Sequence, residues 1–430
     1  MADVEGVGDV DDQHPGAGSS ASERALHAML AESHLSLASE LPAMAQRYVA
    51  AFGGSDVRIF LADLQQLTLV PFVGHADVPA DEVLEPLNID GTVAGRAFQL
   101  VQLVVQSREG LDPVVWLPLL DGTERLGVLG VTVPGATPEI IVNEPPAPLL
   151  CRFASLLSEL IMTKSLYGDT VVRLRRQRHM GLAAEMQWSL LPPLTVSSRA
   201  VTIAAALEPA YDVSGDTFDY AVDPGTAKAA VFDGMGHGLR SAQMVLLAVT
   251  AYRNARRAGL SLTETCKQID EALLDAFSGS SFTTALFTEL DTDTGVFSWV
   301  SAGHPPPLLI RQGRLIKALD TSPRAPLGMT LPRDAAHARE LSVGTEQLEP
   351  GDCVLLYTDG VTEARASDGS FFGEDRLADL IVRHLAAGFP AAETMRRVVH
   401  ALLVHQEGRL TDDASLALLQ WQADVQAVAP

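Results

Sequence analysis

The chain has 430 residues, a formal net charge of −23 and a hydrophobic fraction of 47%. This length predicts two or three domains, each apolar enough to form a core, since a domain usually has about 100–200 residues. The negative charge argues against nucleic acids and anionic membranes as partners, because both attract basic surfaces. No apolar run reaches the roughly 18 residues of a membrane helix. The three scattered cysteines indicate reduced thiols and a cytoplasmic protein.

The first part of the chain predicts a tail followed by a small α/β domain. Residues 1–21 are acidic and rich in Gly and Ser, which is typical of a disordered tail rather than of a signal peptide. Apolar residues at three- and four-residue steps predict a helical stretch over 22–51, which Pro42 kinks or ends. Strand-like runs follow at 57–63, 67–74, 114–120 and 126–133. We expect this domain to cover residues 22–148, with a closing helix to about residue 165.

Two motifs in this region carry a family resemblance. NIDGTVAGRAF (88–98) is followed by WLPLLDGTERLGVLGV (116–131), which has an Asp-Gly turn signal at its centre. Together they resemble GAF domains. The resemblance implies a sensor domain and makes a small molecule its candidate ligand.

Residues 149–191 predict a helical linker. Leu149, Phe153, Leu156 and Leu160 recur at helical spacing and continue to Leu174, which is typical of a coiled coil. We expect such a linker to pair two copies of the chain into a homodimer or to couple the two domains. The basic run RLRRQRH (173–179) is interpreted as a solvated helix face, with an anion-binding patch as the alternative.

The region 192–422 alternates between strands and helices, and residues 423–430 are expected to be a tail. Strands are predicted at 201–209, 228–233, 283–291, 295–303, 306–315, 352–360 and 414–421, and helices at 239–258, 262–277, 374–385 and 391–405. Several strands are joined by connections too short for a crossover helix. The sheets are therefore expected to be antiparallel, and the fold class α+β.

Five aspartates lie at the ends of apolar runs in this region, and most of them are beside a glycine: Asp216, Asp233, Asp359, Asp412 and Asp413. Carboxylates gathered at one place repel each other unless a cation lies among them. Mg²⁺ and Mn²⁺ prefer such oxygen ligands, so the pattern predicts a two-metal hydrolase. The simpler interpretation of each residue alone is a turn or a helix cap.

Eight motifs in order connect these aspartates to a known family. They run from MQWSLLPP (186–193) to LTDDASLALLQ (410–420) and include SGDTFDY, VFDGMGHGLRSA, SAGHPPPLL and VLLYTDGVTEA. In this order they resemble the sporulation stage II protein E-type phosphatases, a bacterial branch of the type 2C-like, metal-dependent Ser/Thr phosphatases. The resemblance implies an α-β-β-α sandwich with two Mn²⁺ or Mg²⁺ ions at one edge.

The resemblance also implies a role for each residue. Asp233 would bridge the two ions, and the Gly234 carbonyl would bind one of them. Asp359 and Asp412 would hold the second ion, and Asp216 would bind or orient metal-bound water, so that Asp216 and Asp233 would be the catalytic pair. Candidates for supporting positions around these ligands are Asp219, Asp413 and His237, whereas His304 is expected to be structural.

The function implied is that of a sensor-regulated protein-serine/threonine phosphatase. Its substrate would be a phosphorylated STAS-type anti-sigma-factor antagonist in a sigma-factor partner-switching pathway. Two alternatives stay open at this point. One is a catalytically silent, phosphatase-like regulator that binds partners. The other is a two-metal phosphodiesterase or nuclease, against which the net charge argues.

Overall fold

The computed structural model describes residues 20–74, 84–137, 141, 146–209, 211, 215–236, 238–322, 324–330, 341–408, 410 and 412–422. His237 lies outside these ranges, as do residues 423–430 and all but the last two residues of the expected N-terminal tail. Ser20 is the N-cap of the first helix, since its hydroxyl accepts a hydrogen bond from the Glu23 amide.

The N-terminal part contains one antiparallel sheet with helices on both faces. The sheet order is β3-β2-β1-β6-β5-β4. Its elements are α1 (Ala21–Ser33), α2 (Leu41–Tyr48), β1 (Asp56–Ala62), β2 (Thr68–Pro71), β3 (Leu87–Asn88), α3 (Val93–Leu100), β4 (Val104–Arg108), β5 (Leu111–Asp121) and β6 (Glu124–Thr132). The helical stretch predicted over 22–51 is thus two α-helices, and Pro42 lies in the first turn of α2, where a missing amide proton costs nothing.

The long helical stretch predicted over residues 149–191, which Gly168 was expected to interrupt, is three helices in the structure. These are α4 (Pro146–Ser165), α5 (Thr170–Arg175) and α6 (Leu182–Leu190). The apolar face of α4 packs into the core of its own domain, where Phe153 is fully buried and Leu160 is 6% exposed. These side chains therefore pack inside their own domain and do not form a coiled-coil interface. The homodimer stays a prediction.

The basic run 173–179 is not simply a solvated face. The Arg175 guanidinium donates a hydrogen bond to the Ala62 carbonyl at 2.9 Å, and the Arg178 guanidinium lies over the Tyr211 ring. The solvated-face interpretation is therefore wrong for Arg175, whereas Arg178 is exposed. Both residues join the segment between α5 and α6 to the N-terminal sheet and to the chain that follows β8.

The C-terminal part has two antiparallel sheets, of order β15-β12-β11-β10-β9 and β14-β13-β16-β17-β8-β7. The strands are β7 (Thr195–Ser197), β8 (Val201–Glu208), β9 (Asp216–Asp223), β10 (Thr226–Gly234), β11 (Thr283–Asp291), β12 (Val296–Ala302), β13 (Leu308–Arg311), β14 (Arg314–Ala318), β15 (Gly344–Gln347), β16 (Cys353–Tyr357) and β17 (Ala414–Trp421). The helices are α7 (Leu239–Arg257), α8 (Leu262–Phe277), α9 (Asp359–Thr362), α10 (Glu374–Ala386) and α11 (Ala391–His405).

Three apolar cores define the layers of this part. One lies between the two sheets and contains Phe218 and Leu356. A second lies between the first sheet and α7 and α8, and a third between the other sheet and α10 and α11. The expected α+β class and the helix–sheet–sheet–helix sandwich are confirmed. The boundaries 22–148, 149–191 and 192–422 stay predictions.

Buried charges join the two parts of the molecule. Arg125 on β6 donates a hydrogen bond to Glu393 on α11 at 2.9 Å, and their side chains are 2% and 0% exposed. Arg396 also donates to Glu393 and reaches Asp90 of the N-terminal part at 2.6 Å. We call Asp90, Arg125, Glu393 and Arg396 the interdomain charge cluster.

No helix in the described part of the chain combines the length and apolarity needed to cross a bilayer.

Candidate active site

Strand register places the first two candidate aspartates side by side. Asp216 begins β9, and Asp233 is its direct partner on the neighbouring strand β10. Opposed residues of an antiparallel pair have Cβ atoms about 5 Å apart, so their carboxyl groups are close neighbours. Asp216 is 2% exposed.

Contacts from the second sheet bring in the other three. Asp359 follows the end of β16 and begins α9, and the preceding residue, Thr358, donates a hydrogen bond from its hydroxyl to Asp216 Oδ2 at 2.5 Å. Asp412 and Asp413 precede β17, and the Asp413 carboxylate accepts a hydrogen bond from the Gly215 amide. Asp216, Asp233, Asp359, Asp412 and Asp413 therefore lie at one edge of the sandwich, which we call the acid edge.

Two glycines make this approach possible. A Cβ atom on Gly360 would lie 1.8 Å from the Asp413 carbonyl oxygen and 3.5 Å from the Asp412 Cβ. A Cβ atom on Gly215 would lie 2.6 Å from the Gly234 carbonyl oxygen. Only glycine lets these backbones approach so closely, which explains why glycines flank the candidate aspartates.

Burial and mutual repulsion raise the pKa values at the acid edge. For Asp216, burial raises the pKa well above its usual value, and the charges of Asp233 and Asp413 raise it further against the opposing hydrogen bond from Thr358. For Asp233, burial followed by the charges of Asp359 and Asp412 raises the pKa to about 7. The pKa of Asp359 is also raised, by burial and then by Asp412.

No protein cation compensates Asp233 or Asp359 within the described residues. The aspartates that do form ion pairs with Arg in the C-terminal part include Asp219, Asp270 and Asp352, which lie outside the acid edge. Among the described residues, no group of three or more His, Cys, Asp or Glu side chains is arranged so that it could hold a metal ion. The Asp233 and Asp359 carboxylates nevertheless provide hard oxygen donors, the ligand type that Mg²⁺ and Mn²⁺ prefer.

The remaining candidates lie elsewhere or are engaged differently. The Asp219 carboxylate accepts hydrogen bonds from Arg253 at 2.6 Å and Arg256 at 2.9 Å, both on α7, so it is neutralised away from the acid edge. The Gly234 carbonyl accepts a hydrogen bond from the Ser241 hydroxyl at 3.1 Å. His237 is outside the described residues.

Sequence reasoning missed three residues that hold the site. Thr358 binds Asp216 directly, and the buried Gln187 side chain on α6 donates to the Asp216 carbonyl. Thr284 on β11 is the cross-strand partner of Asp233 and places its hydroxyl 3.4 Å from Asp233 Oδ2. Thr358 lies within the motif VLLYTDGVTEA and Thr284 within the predicted strand 283–291, so the sequence marked both positions without indicating their contacts.

The helix–sheet–sheet–helix sandwich agrees with the fold that the sequence motifs implied. Residues 223–422 match the family model described as Stage II sporulation protein E (SpoIIE). This part of the chain is therefore a phosphatase domain of the SpoIIE type.

Two phosphoserine phosphatases and one solved domain are similar to this chain. The chain is 26% identical over 240 residues to phosphoserine phosphatase RsbU of Bacillus subtilis (strain 168), a match that covers 56% of this chain and 69% of RsbU. It is 27% identical over 253 residues to phosphoserine phosphatase RsbP of the same organism, covering 57% of this chain and 58% of RsbP. Among solved structures, the SiaA-PP2C domain of Pseudomonas aeruginosa matches 55% of this chain and 94% of its own length, with 22% identity and a TM-score of 0.46.

Proposed function

We propose that this chain is a metal-dependent protein-serine/threonine phosphatase. The observation that carries the proposal is the acid edge, where Asp216 and Asp233 are paired across two strands and burial and repulsion raise their pKa values. Such an arrangement costs stability unless a cation compensates it. The SpoIIE-type domain and the two phosphoserine phosphatases among its relatives support the same activity.

In this proposal the acid edge holds two Mn²⁺ or Mg²⁺ ions. Asp233, the Gly234 carbonyl, Asp359 and Asp412 would be ligands, and Asp216 would bind or orient metal-bound water. Bound ions of this kind supply a water of lowered pKa and neutralise charge that develops on a phosphoryl group. The hydroxyl of Thr358 holds Asp216 in place, and no side-chain nucleophile is required.

The proposed substrate is a phosphoserine or phosphothreonine on a STAS-type anti-sigma-factor antagonist. Removal of the phosphate would let the antagonist capture an anti-sigma factor and release a sigma factor. The names of the relatives support the phosphoserine part of this proposal. The partner-switching part rests on the family resemblance of the sequence motifs.

We further propose that the N-terminal GAF-like domain controls the site, and two physical routes support this. The first is the interdomain charge cluster, which fixes β6 against α11. The second runs through α6. Met180, Ala184 and Tyr211 form a small apolar cluster with Leu64 of the N-terminal part, and Gln187 on the same helix holds the Asp216 backbone. A displacement of the first domain would therefore reach Asp216 through side chains in contact.

One observation favours the alternative of a silent, partner-binding regulator. The described residues contain no ready group of three metal-binding side chains. A protein of this kind would bind a phosphoprotein without hydrolysing it. It would keep the fold and lose the dependence on Mn²⁺.

Hydrolysis of three substrates by the full chain separates these functions. We expect Mn²⁺-dependent release of phosphate from p-nitrophenyl phosphate and from a phosphoserine peptide, with no hydrolysis of the diester bis-p-nitrophenyl phosphate. Hydrolysis of the diester would indicate a phosphodiesterase. No hydrolysis of any substrate, together with tight binding of the phosphopeptide, would establish the silent regulator and overturn the proposal.

A further inference from the structure

A buried histidine joins the two sheets beside the acid edge. His304 follows β12 and is 6% exposed. Its Nδ1 atom lies 2.7 Å from the Thr284 hydroxyl on β11, and its Nε2 atom lies 3.0 Å from the Tyr357 carbonyl oxygen at the end of β16. Both ring nitrogens are thus engaged, one toward each sheet. Thr284 is the cross-strand partner of Asp233, and Tyr357 lies two residues before Asp359.

The partners of the ring fix the direction of its hydrogen bonds. A carbonyl oxygen can only accept a hydrogen bond. Nε2 therefore carries a proton and donates a hydrogen bond to the Tyr357 carbonyl oxygen. Burial lowers the pKa of His304 to about 4, which keeps the ring neutral. In a neutral ring whose proton is on Nε2, Nδ1 can only accept a hydrogen bond. It therefore accepts one from the Thr284 hydroxyl.

This direction has a consequence for Asp233. A threonine hydroxyl has one proton to donate. Nδ1 of His304 is at 2.7 Å, whereas Asp233 Oδ2 is at 3.4 Å, a distance at which a hydrogen bond is weak. The Thr284 hydroxyl therefore donates its hydrogen bond to His304. The Asp233 oxygen receives no short hydrogen bond from Thr284, so its lone pairs stay available to a metal ion.

We propose that His304 is a positioning residue of the metal site, which draws the Thr284 hydroxyl away from Asp233 and so keeps the Asp233 carboxylate available to a divalent cation. This inference rests on the proposed function, because it assumes that Asp233 binds a metal ion. It changes the role expected for His304, which supports the strand end and also controls the hydrogen bonding of a ligand. Partners of metal ligands commonly change metal affinity by about 10–100-fold.

Substitutions that imitate one ring nitrogen at a time test the proposal. In His304→Asn the amide oxygen takes the place of Nδ1 and still accepts from Thr284. In His304→Gln the amide nitrogen takes the place of Nε2 and still donates to Tyr357, but Thr284 loses its acceptor. Thr284→Val in the His304→Gln background removes the hydroxyl that would then turn to Asp233. Binding of Mn²⁺ to the metal-free full chain is measured by titration calorimetry, and thermal unfolding of each metal-free variant reports its fold.

We expect His304→Gln to weaken Mn²⁺ binding about tenfold, His304→Asn to stay within about threefold of the parent, and the His304→Gln, Thr284→Val double variant to recover most of the loss. A purely structural histidine predicts the opposite for the double variant, since a second buried substitution would only add damage. Unchanged binding in His304→Gln, or no recovery in the double variant, overturns the inference and leaves the phosphatase proposal intact. If the parent chain itself binds no Mn²⁺, both proposals fail.

Discussion

Two buried clusters of charge in this molecule differ in how their carboxylates are compensated. At the interdomain charge cluster, burial alone would raise the pKa of Glu393, but hydrogen bonds and charges from Arg396 and Arg125 lower it. At the acid edge, burial raises the pKa of Asp233 and the nearby charges that act most strongly on it are other acids, which raise it further.

The difference shows which cluster obtains its counter-charges from the protein itself. Glu393 has its counter-charges from its own protein, so the interdomain charge cluster is a structural contact between two domains. Asp233 and Asp359 form no ion pair with Lys or Arg in the described ranges, and in the proposed function a bound cation would compensate them. Burial and acidity alone do not distinguish a binding site from a structural contact. The identity of the neighbouring charges does.

The largest expected effect is on catalysis at the acid edge. Asp233→Asn keeps the size of the side chain and removes the charge that would bind both ions. We expect Mn²⁺-dependent hydrolysis of p-nitrophenyl phosphate to fall by about 10³-fold or more, which corresponds to about 4 kcal/mol of transition-state stabilisation. Asp379→Asn, the same change on the exposed face of α10, is the matched control and should keep full activity. Equal activity in both variants would exclude Asp233 as a ligand.

The next effect concerns the interdomain charge cluster. Arg125→Met leaves Glu393 buried with one fewer counter-charge, and breaking a buried pair typically costs about 3–5 kcal/mol. We expect urea unfolding to show a loss of this order. Arg125→Met combined with Glu393→Met removes both charges of this pair and should recover part of the loss, although Arg396 then keeps only Asp90 as its counter-charge within the cluster. A double variant as unstable as the single one would indicate that packing rather than charge holds this interface.

Stability of the metal-free protein should respond in opposite directions in the two clusters. Asp233→Asn removes one of several repelling charges and should raise the free energy of unfolding by about 1 kcal/mol. Glu393→Gln removes the counter-charge of three arginines and should lower the free energy of unfolding. Unfolding in the presence of a chelator measures both. A loss of stability in Asp233→Asn would contradict the view that the charge of Asp233 is uncompensated.

The smallest effect is a pH dependence. The folded pKa of Asp233, about 7, is above its usual value of 3.8, so the folded state holds a proton that the unfolded state releases between these values. Protonated Asp233 therefore contributes to the free energy of unfolding. This contribution is complete below about pH 4 and is lost as the pH rises through 7. We expect the Tm of the metal-free chain to fall by a few degrees from pH 5.5 to 8. Asp233→Asn should reduce this slope, and an unchanged slope would assign it to other groups.

Much of the C-terminal fold was predictable because its signals are local. The four longer helices begin at the predicted residues 239, 262, 374 and 391 and end within one residue of the predicted ends. The strands β8, β11 and β17 follow apolar runs that end at turns or at the candidate aspartates. The acid edge was predictable from motif order, since glycine and aspartate together mark the places where backbones approach closely.

The errors arose where distant contacts decide the structure. Apolar spacing over 149–191 fits a coiled coil as well as a helix packed on its own sheet, and only the N-terminal core shows that α4 is the second of these. Arg125 lies in a run that predicts a strand hairpin, and nothing local indicates that its partner is Glu393, 268 residues away. His304 was expected to hold the strand end before the proline turn, and its two partners were not visible in the sequence because they lie on separate sheets.

The hairpin of β9 and β10 restricts where insertions and deletions can occur in the evolution of this region. Its register places Asp216 opposite Asp233 after a short turn at Pro224 and Gly225. Side chains alternate between the two faces of a strand, so one inserted residue within β9 would turn Asp216 toward the opposite face. Insertions and deletions in homologous chains should therefore avoid these two strands and collect in the turn between them.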